Sequence, residues 1–361
     1  MKTSSTGPQR PTEEALLKSV ILAGASLITL AATGAVAAAP PDRPMFVVQP
    51  NRLHPNIHRP SGLPTWTFSF TYSGKTYNDL FVGTNPTGGA STTVPTYIIP
   101  IFLKLKGAGT VNANPDATLS NGRTVVQNTV DSPIFDSTTT YTQGGTNVGT
   151  TQYEDAFQRA SLWGTVSSNT GYHVLLGAPT VEKLQKIKVP AADGKVATDF
   201  GVKVLNVNIN WLDPKLEALL KTLSIPANSL PIFLTTQTYL TSGGCCIGGY
   251  HSYTGTQAYS MFTYIQTAGT FSQDVSALSH EAGEWLDDPE TNNNSPCGIY
   301  EVGDPLEGDA NYGTYPYTVN GFTYHLQDLA MPPYFGAPAS TSVNGWKTFQ
   351  GTNLTVCQNG S

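Results

Sequence analysis

The stretch Ser279–Glu290, SHEAGEWLDDPE, sets one histidine and two glutamates at spacings that suit a metal ion. His280 and Glu284 stand at i, i+4, where two side chains one helical turn apart can grip one cation. Glu281 follows the histidine directly, in the place from which a carboxylate base reaches a water activated by that cation. The two-histidine form of this spacing is H-E-x-x-H. This chain has Glu284 where the second histidine would stand.

With His280 as origin and ~100° per residue, Glu284 falls about 40° away and Asp287 about 20° to the other side. Glu281 and Asp288 lie at about 80–100° on the same wheel. The apolar Val275, Leu278, Ala282, Trp285 and Leu286 take the opposite face. A polar face alone implies little, since every surface helix has one. The missing counter-charge says more. No Lys or Arg occurs between Lys221 and Lys347, yet that stretch holds eleven acids, ten of them within 274–309. Like charges three or four residues apart each destabilise a helix by about 0.2–0.5 kcal/mol, and acids late in a helix oppose its dipole. A bound cation accounts for such a cluster.

Downstream, CGIYEVGDPLEG offers Glu301 and Asp304 as third ligand. One imidazole and two carboxylates form a harder, more anionic set than is usual for zinc, and would acidify a bound water less. A histidine ligand favours a transition metal, with zinc the expected ion. The oxygen-rich DDPETNNN and EVGDPLEGD suit calcium as rival or companion. His325, in FTYHLQDLA, is a candidate to hydrogen-bond a tetrahedral intermediate or to serve as another ligand. For His251, in GGYHSY, lining the cleft is possible, but a loop-stabilising role fits its glycine-rich setting better.

SHEAGEWLDDP with downstream EVGDP resembles the active-site helix and third-ligand segment of zincin-type metallopeptidases. The resemblance implies His280 as first ligand, Glu281 as general base, Glu284 in place of the second histidine and Glu301 as a looser match to the third ligand. Together with TTQYEDAFQRASLW and GGCCIGGYHSYTG, these motifs are similar to a group of exported bacterial proteins. They are similar more weakly to the plant phosphate-induced (exordium-like) proteins. The likeness covers roughly 150–335.

Several elements must position these groups. YEDAFQRASLW (153–163) reads as an amphipathic helix, and DPKLEALLKTL opens with Asp213 and Pro214 as N-cap and first helical residue. TWTFSFTYSG alternates at period two, while PTYIIPIFLKLKG, YHVLLG, VKVLNVNINW, LPIFLTTQTYL and QAYSMFTYIQ read as strands. GGCCIGGYHSYTG reads as a glycine-rich turn region, and 107–150 mostly as polar loop. The metal helix is expected from about Ser272 to Asp288, stopped by Pro289. The fold class expected is α+β, with a β-rich N-terminal region over 40–150 and a zincin-like domain over 151–361.

The chain has 361 residues, 12% of them charged, with 35 Gly, 26 Pro and a net charge of −6. That balance disfavours nucleic acid as a partner. Residues 1–39 read as a signal peptide, with Lys2, Arg10 and Lys18 before an apolar run ending in small residues. No later run is long and apolar enough to span a bilayer, so a secreted protein with no membrane attachment after cleavage is expected. The Pro-rich 40–65 reads as an extended arm. In an exported chain Cys245, Cys246, Cys297 and Cys357 are expected in disulfides. Three pairings are possible; a bridge between adjacent cysteines would be strained, so one of Cys245 and Cys246 is expected to bond Cys297 and the other Cys357.

These residues point to a secreted metal-dependent hydrolase, a peptidase acting on protein or peptide. The alternative is an inactive secreted binding or surface protein on a zincin-like scaffold with structural calcium.

Overall fold

Strands that alternate two apolar faces need cover on both sides, and that need organises the chain. The computed structural model describes residues 45–49, 62–107, 109, 111–355 and 357. The expected signal segment, 1–39, lies outside the described residues. The strands that build and frame the site are, in chain order, β1 (Met45–Gln49), β2 (Thr65–Tyr72), β3 (Lys75–Val82), β4 (Thr96–Leu105), β5 (Gln185–Val189), β6 (Gly194–Asp199), β7 (Val202–Asn208), β8 (Leu230–Thr236), β9 (Thr238–Thr241), β10 (Cys245–Tyr253), β11 (Ala258–Tyr264), β12 (Thr314–Val319) and β13 (Phe322–Gln327). The helices are α1 (Tyr153–Ser161), α2 (Ile209–Thr222) and α3 (Ser276–Asp287). The fold is α+β, as the sequence implies.

One large mixed sheet runs in the order β5-β4-β8-β11-β10-β9-β7-β6. The β5, β4, β8 and β11 neighbours are parallel, whereas β10 runs antiparallel to both β11 and β9. Its two faces belong to different cores. Ile99, Ile101, Phe233, Tyr259 and Met261 pack with Leu212, Leu216 and Leu220 of α2. Ile98, Ile232, Leu234 and Phe262 turn the other way, towards Phe157 of α1 and Leu278 and Trp285 of α3. Residue-by-residue alternation therefore sandwiches the sheet between helices.

Several expectations need correction. The glycine-rich GGCCIGGYHSYTG is not a turn region: its Cys245–Tyr253 is the long strand β10. Helix α2 starts before Asp213, because the Asn208 side chain caps it by accepting from the Asn210 N–H. Pro214 lies inside that helix, and the Asp213 carboxylate accepts hydrogen bonds from the Tyr250 and Tyr259 hydroxyls at 2.8 and 2.5 Å. The division expected at 150 does not separate domains. β4 lies between β5 and β8, strands from far along the chain, and 40–361 forms one unit.

The cysteine pairing also differs. Cys245 and Cys246 lie at disulfide distance from each other, and Cys297 from Cys357. Cys245 is held beside Thr241 by the β9–β10 ladder, while Cys297 sits on a loop beside the Tyr334 carbonyl. No helix among the described residues is long and apolar enough to cross a membrane.

Candidate metal centre

Every residue of α3 is buried, its acids included. The polar face of this helix is therefore no solvated surface. It rests on β10, β11 and β13, and two glycines let it come close. A Cβ on Gly249 of β10 would stand 2.8 Å from Glu281 Oε1, so the bare backbone there makes room for the carboxylate. A Cβ on Gly303 would collide with the His280 ring.

His280 is oriented from behind. Its Nδ1 lies 3.0 Å from Gln327 Oε1, which can only accept, so Nδ1 carries the proton and donates. Gln327 is itself fixed, since its Nε2 donates to the Gly303 carbonyl and its backbone N–H to Ser279 Oγ, both at 2.8 Å. Nε2 of His280 then faces Glu284 Oε1 at 3.0 Å and Asp304 Oδ1 at 3.6 Å. Metal-binding histidines are held in the same way, with the second ring nitrogen donating to a fixed acceptor.

A second imidazole enters from the sheet. His251 Nδ1 lies 3.4 Å from both Glu281 Oε2 and Glu284 Oε2, and its Nε2 lies 3.9 Å from Glu301 Oε2. Glu284 thus stands between the two histidines, and the Gly303 N–H donates to its Oε1 at 3.1 Å. Ligand atoms of His251, Glu281 and Glu284 lie within 4.8 Å of one another, as do those of His280, Asp304 and Glu307. His251, His280 and Glu281 are 0% exposed, Glu284 1% and Glu301 4%.

These buried groups perturb one another. Burial alone would push the His251 imidazole down, but the Glu281 and Glu284 carboxylates outweigh it and hold it up at about 10. His280 is likewise raised against its burial, by Glu284 and Asp304. Burial would raise Glu284, yet the two histidines pull it below the ordinary carboxylate range. Burial pushes Glu281 up to about 7, against the pull of both histidines. Glu301 is pushed well up, first by burial and then by neighbouring carboxylates. Glu281 Oε1 is buried without a hydrogen-bond partner among the described residues. The carboxylates outnumber the imidazoles in a dry site. Such a site needs added protons or a cation.

The structure brings together His280, Glu281, Glu284, Glu301 and Asp304. It places His325 elsewhere, with Nδ1 2.7 Å from Asp274 Oδ2 at the head of α3. His251 is the residue whose place the sequence reading undervalued. Once Gly249 and His251 are seen as i, i+2 on a strand, they share a face, and that alternation was the available signal. The DDPETNNN loop binds itself: Asp288 Oδ1 accepts the N–H groups of Asn292 and Asn293 at 2.9 and 3.1 Å. A further pair of buried acids lies along α3. A Cβ on Gly283 would come within 3.3 Å of Glu154 Oε2 from α1, and burial pushes both Glu154 and Asp287 well up. No protein-family model, curated protein or solved structure matches this chain.

Proposed function

We propose that this protein is a secreted, metal-dependent hydrolase of zincin-like layout that cuts peptide bonds. The observation that carries the proposal is His280 Nε2 facing Glu284 Oε1 at 3.0 Å and Asp304 Oδ1 at 3.6 Å, with His251 and Glu281 grouped beside Glu284 in a buried site. Zinc suits a donor set that includes imidazole Nε2. His280 and Glu284 would hold it, with Glu301 or Asp304 completing the set. A cation held there supplies Lewis acidity to a carbonyl and to a water.

The rest falls to the chain's own groups. Glu281 takes the proton from the attacking water and passes it to the leaving amine. His251, beside Glu281, offers a ring N–H to the oxygen on which negative charge develops. Gln327 keeps His280 in one tautomer throughout. The cysteine pairs at disulfide distance support export.

A second reading, an inactive secreted binding protein with a structural ion such as calcium, is favoured by one observation: the central groups are almost fully buried. Metal analysis of the purified protein with Glu281→Gln and His280→Ala separates the readings. We expect zinc in wild type, retained in Glu281→Gln with loss of casein hydrolysis, and lost in His280→Ala. Metal content indifferent to His280→Ala sinks the zinc site. Equal hydrolysis by wild type and Glu281→Gln sinks the proposed base.

A further inference from the structure

Strand β7 changes character at its carboxyl end. Val202 and Val204 pack into the larger apolar cluster, and Leu205 and Val207 into the smaller one. Asn206 and Asn208 continue the Val204 face, where a strand covered on both sides would carry aliphatic residues. Asn206 is 4% exposed. Its Nδ2 donates to Cys245 Sγ at 3.7 Å. Its Oδ1 is buried without a hydrogen-bond partner among the described residues, which is costly for an amide oxygen.

Polar groups from three neighbouring strands meet there. Lys195 of β6 stands opposite Asn206, and Thr241 of β9 opposite Asn208. The Asp193 carbonyl accepts from the Asn208 N–H at 2.9 Å. Helix α2 starts at the next residue, with Asn208 as its cap. These groups, with Asn210, line a cavity of about 340 Å³. Small-molecule sites begin at roughly 300 Å³. β7 and β9 run parallel, so the cavity lies outside their carboxyl ends and at a helix N-terminus, the place where such sheets take ligands.

The lining selects the ligand. One carboxylate, Asp193, and one ammonium, Lys195, offset each other, so the walls favour neither an anion nor a cation. Asn206 Oδ1 needs a donor, which a fully ionised anion lacks. Lys195 and the first turn of α2 supply donors and need acceptors. A hydroxyl group is both donor and acceptor. We propose that this cavity is a carbohydrate site that takes one or two sugar rings. Ring hydroxyls donate to Asn206 Oδ1 and the Asp193 carboxylate, and accept from Lys195 Nζ and the α2 N-terminus. None of these residues belongs to the metal centre, so the site holds with or without peptidase activity.

The test titrates full-length protein with maltose, cellobiose and N,N′-diacetylchitobiose by calorimetry, beside the variants Asn206→Leu and Lys195→Met. We expect saturable binding of at least one of these disaccharides, at one site per chain. Each substitution should weaken it about fivefold, the worth of one neutral hydrogen bond. Bound sugar should also slow exchange of the 206–211 amides while the β4 and β8 amides stay as they were.

Should Asn206→Leu fail to fold, Lys195→Met carries the test, because Lys195 is exposed. Saturable binding by none of the three sugars overturns the proposal, as does equal affinity in wild type and every folded variant. Inorganic phosphate is the remaining arm. Slower exchange at 206–211 with phosphate, and with none of the sugars, would make the cavity an anion pocket and overturn the proposal as well.

Discussion

Gln327 is the residue on which the chemistry of His280 turns. It touches no proposed reacting atom, yet it fixes which ring nitrogen faces Glu284. Gln327→Leu keeps the volume and removes the acceptor. We expect cation affinity to fall about 10–100-fold, the usual effect of losing a ligand's supporting partner, as read by competition with a chromophoric chelator. Unchanged affinity would mean that His280 needs no such support. A second residue tests the buried acids outside the centre. Asp79 on β3 is 2% exposed, and burial pushes it up to about 6, partly offset by the Asn294 N–H. A carboxyl raised in the folded state binds more protons folded than unfolded, so it lowers stability as pH rises from about 4 through 6. Asp79→Asn keeps an oxygen for Asn294 and removes the charge. The variant should lose that decline and gain up to about 3 kcal/mol at pH 7, at about 1.4 kcal/mol for each unit of the rise. Parallel stability–pH curves for variant and wild type, from denaturant titration, would refute the assignment.

At the scale of elements, what the sequence disclosed depended on where each signal resides. Helix α3 was legible because its residue types, its spacing and its charge imbalance are local. Its burial was not, because burial depends on β10, and β10 hides behind glycines that ordinarily mark turns. Gly249 is there to admit Glu281, a reason that exists only once helix and strand meet. The cysteine pairing was hidden for the same cause: three pairings fit four cysteines, and only the fold shows Cys245 beside Cys246 and Cys297 beside Cys357. The Cys297–Cys357 pair ties the loop before Glu301 to the chain's last described residue. It closes a sequence separation of 60. Chain-entropy arguments put the effect of such a loop at about 4 kcal/mol. Replacing both cysteines with serine should lower stability by up to that amount in urea titrations. It should also weaken cation binding through Glu301 more than through His280. A double variant as stable as wild type would show that the loop is held by its packing alone.

At the scale of the whole molecule, the proposed centre joins three separate parts of the chain. α3 contributes His280, Glu281 and Glu284, β10 contributes His251, and the 301–304 loop contributes Glu301 and Asp304. These belong to one side of the sheet, where the larger apolar cluster also gathers α1 and β13. The same layout explains why the division expected at 150 failed, since β4 is enclosed by strands that only the complete fold brings beside it. An ion at this junction links three elements, so its removal should act on global rather than local stability. A ligand that binds only the folded chain adds about 2.7 kcal/mol at a free concentration 100 times its Kd. We therefore expect EDTA to lower the thermal midpoint of wild type and added zinc to restore it. His280→Ala should start from the lowered midpoint and respond to neither. The β4 and β8 amides, remote from the centre in the sheet order, should lose protection together with those of α3 when the ion is withdrawn. Loss confined to α3 and the 301–304 loop would reduce the ion to a local clamp. A midpoint indifferent to EDTA in wild type would leave the excess carboxylates neutralised by protons alone.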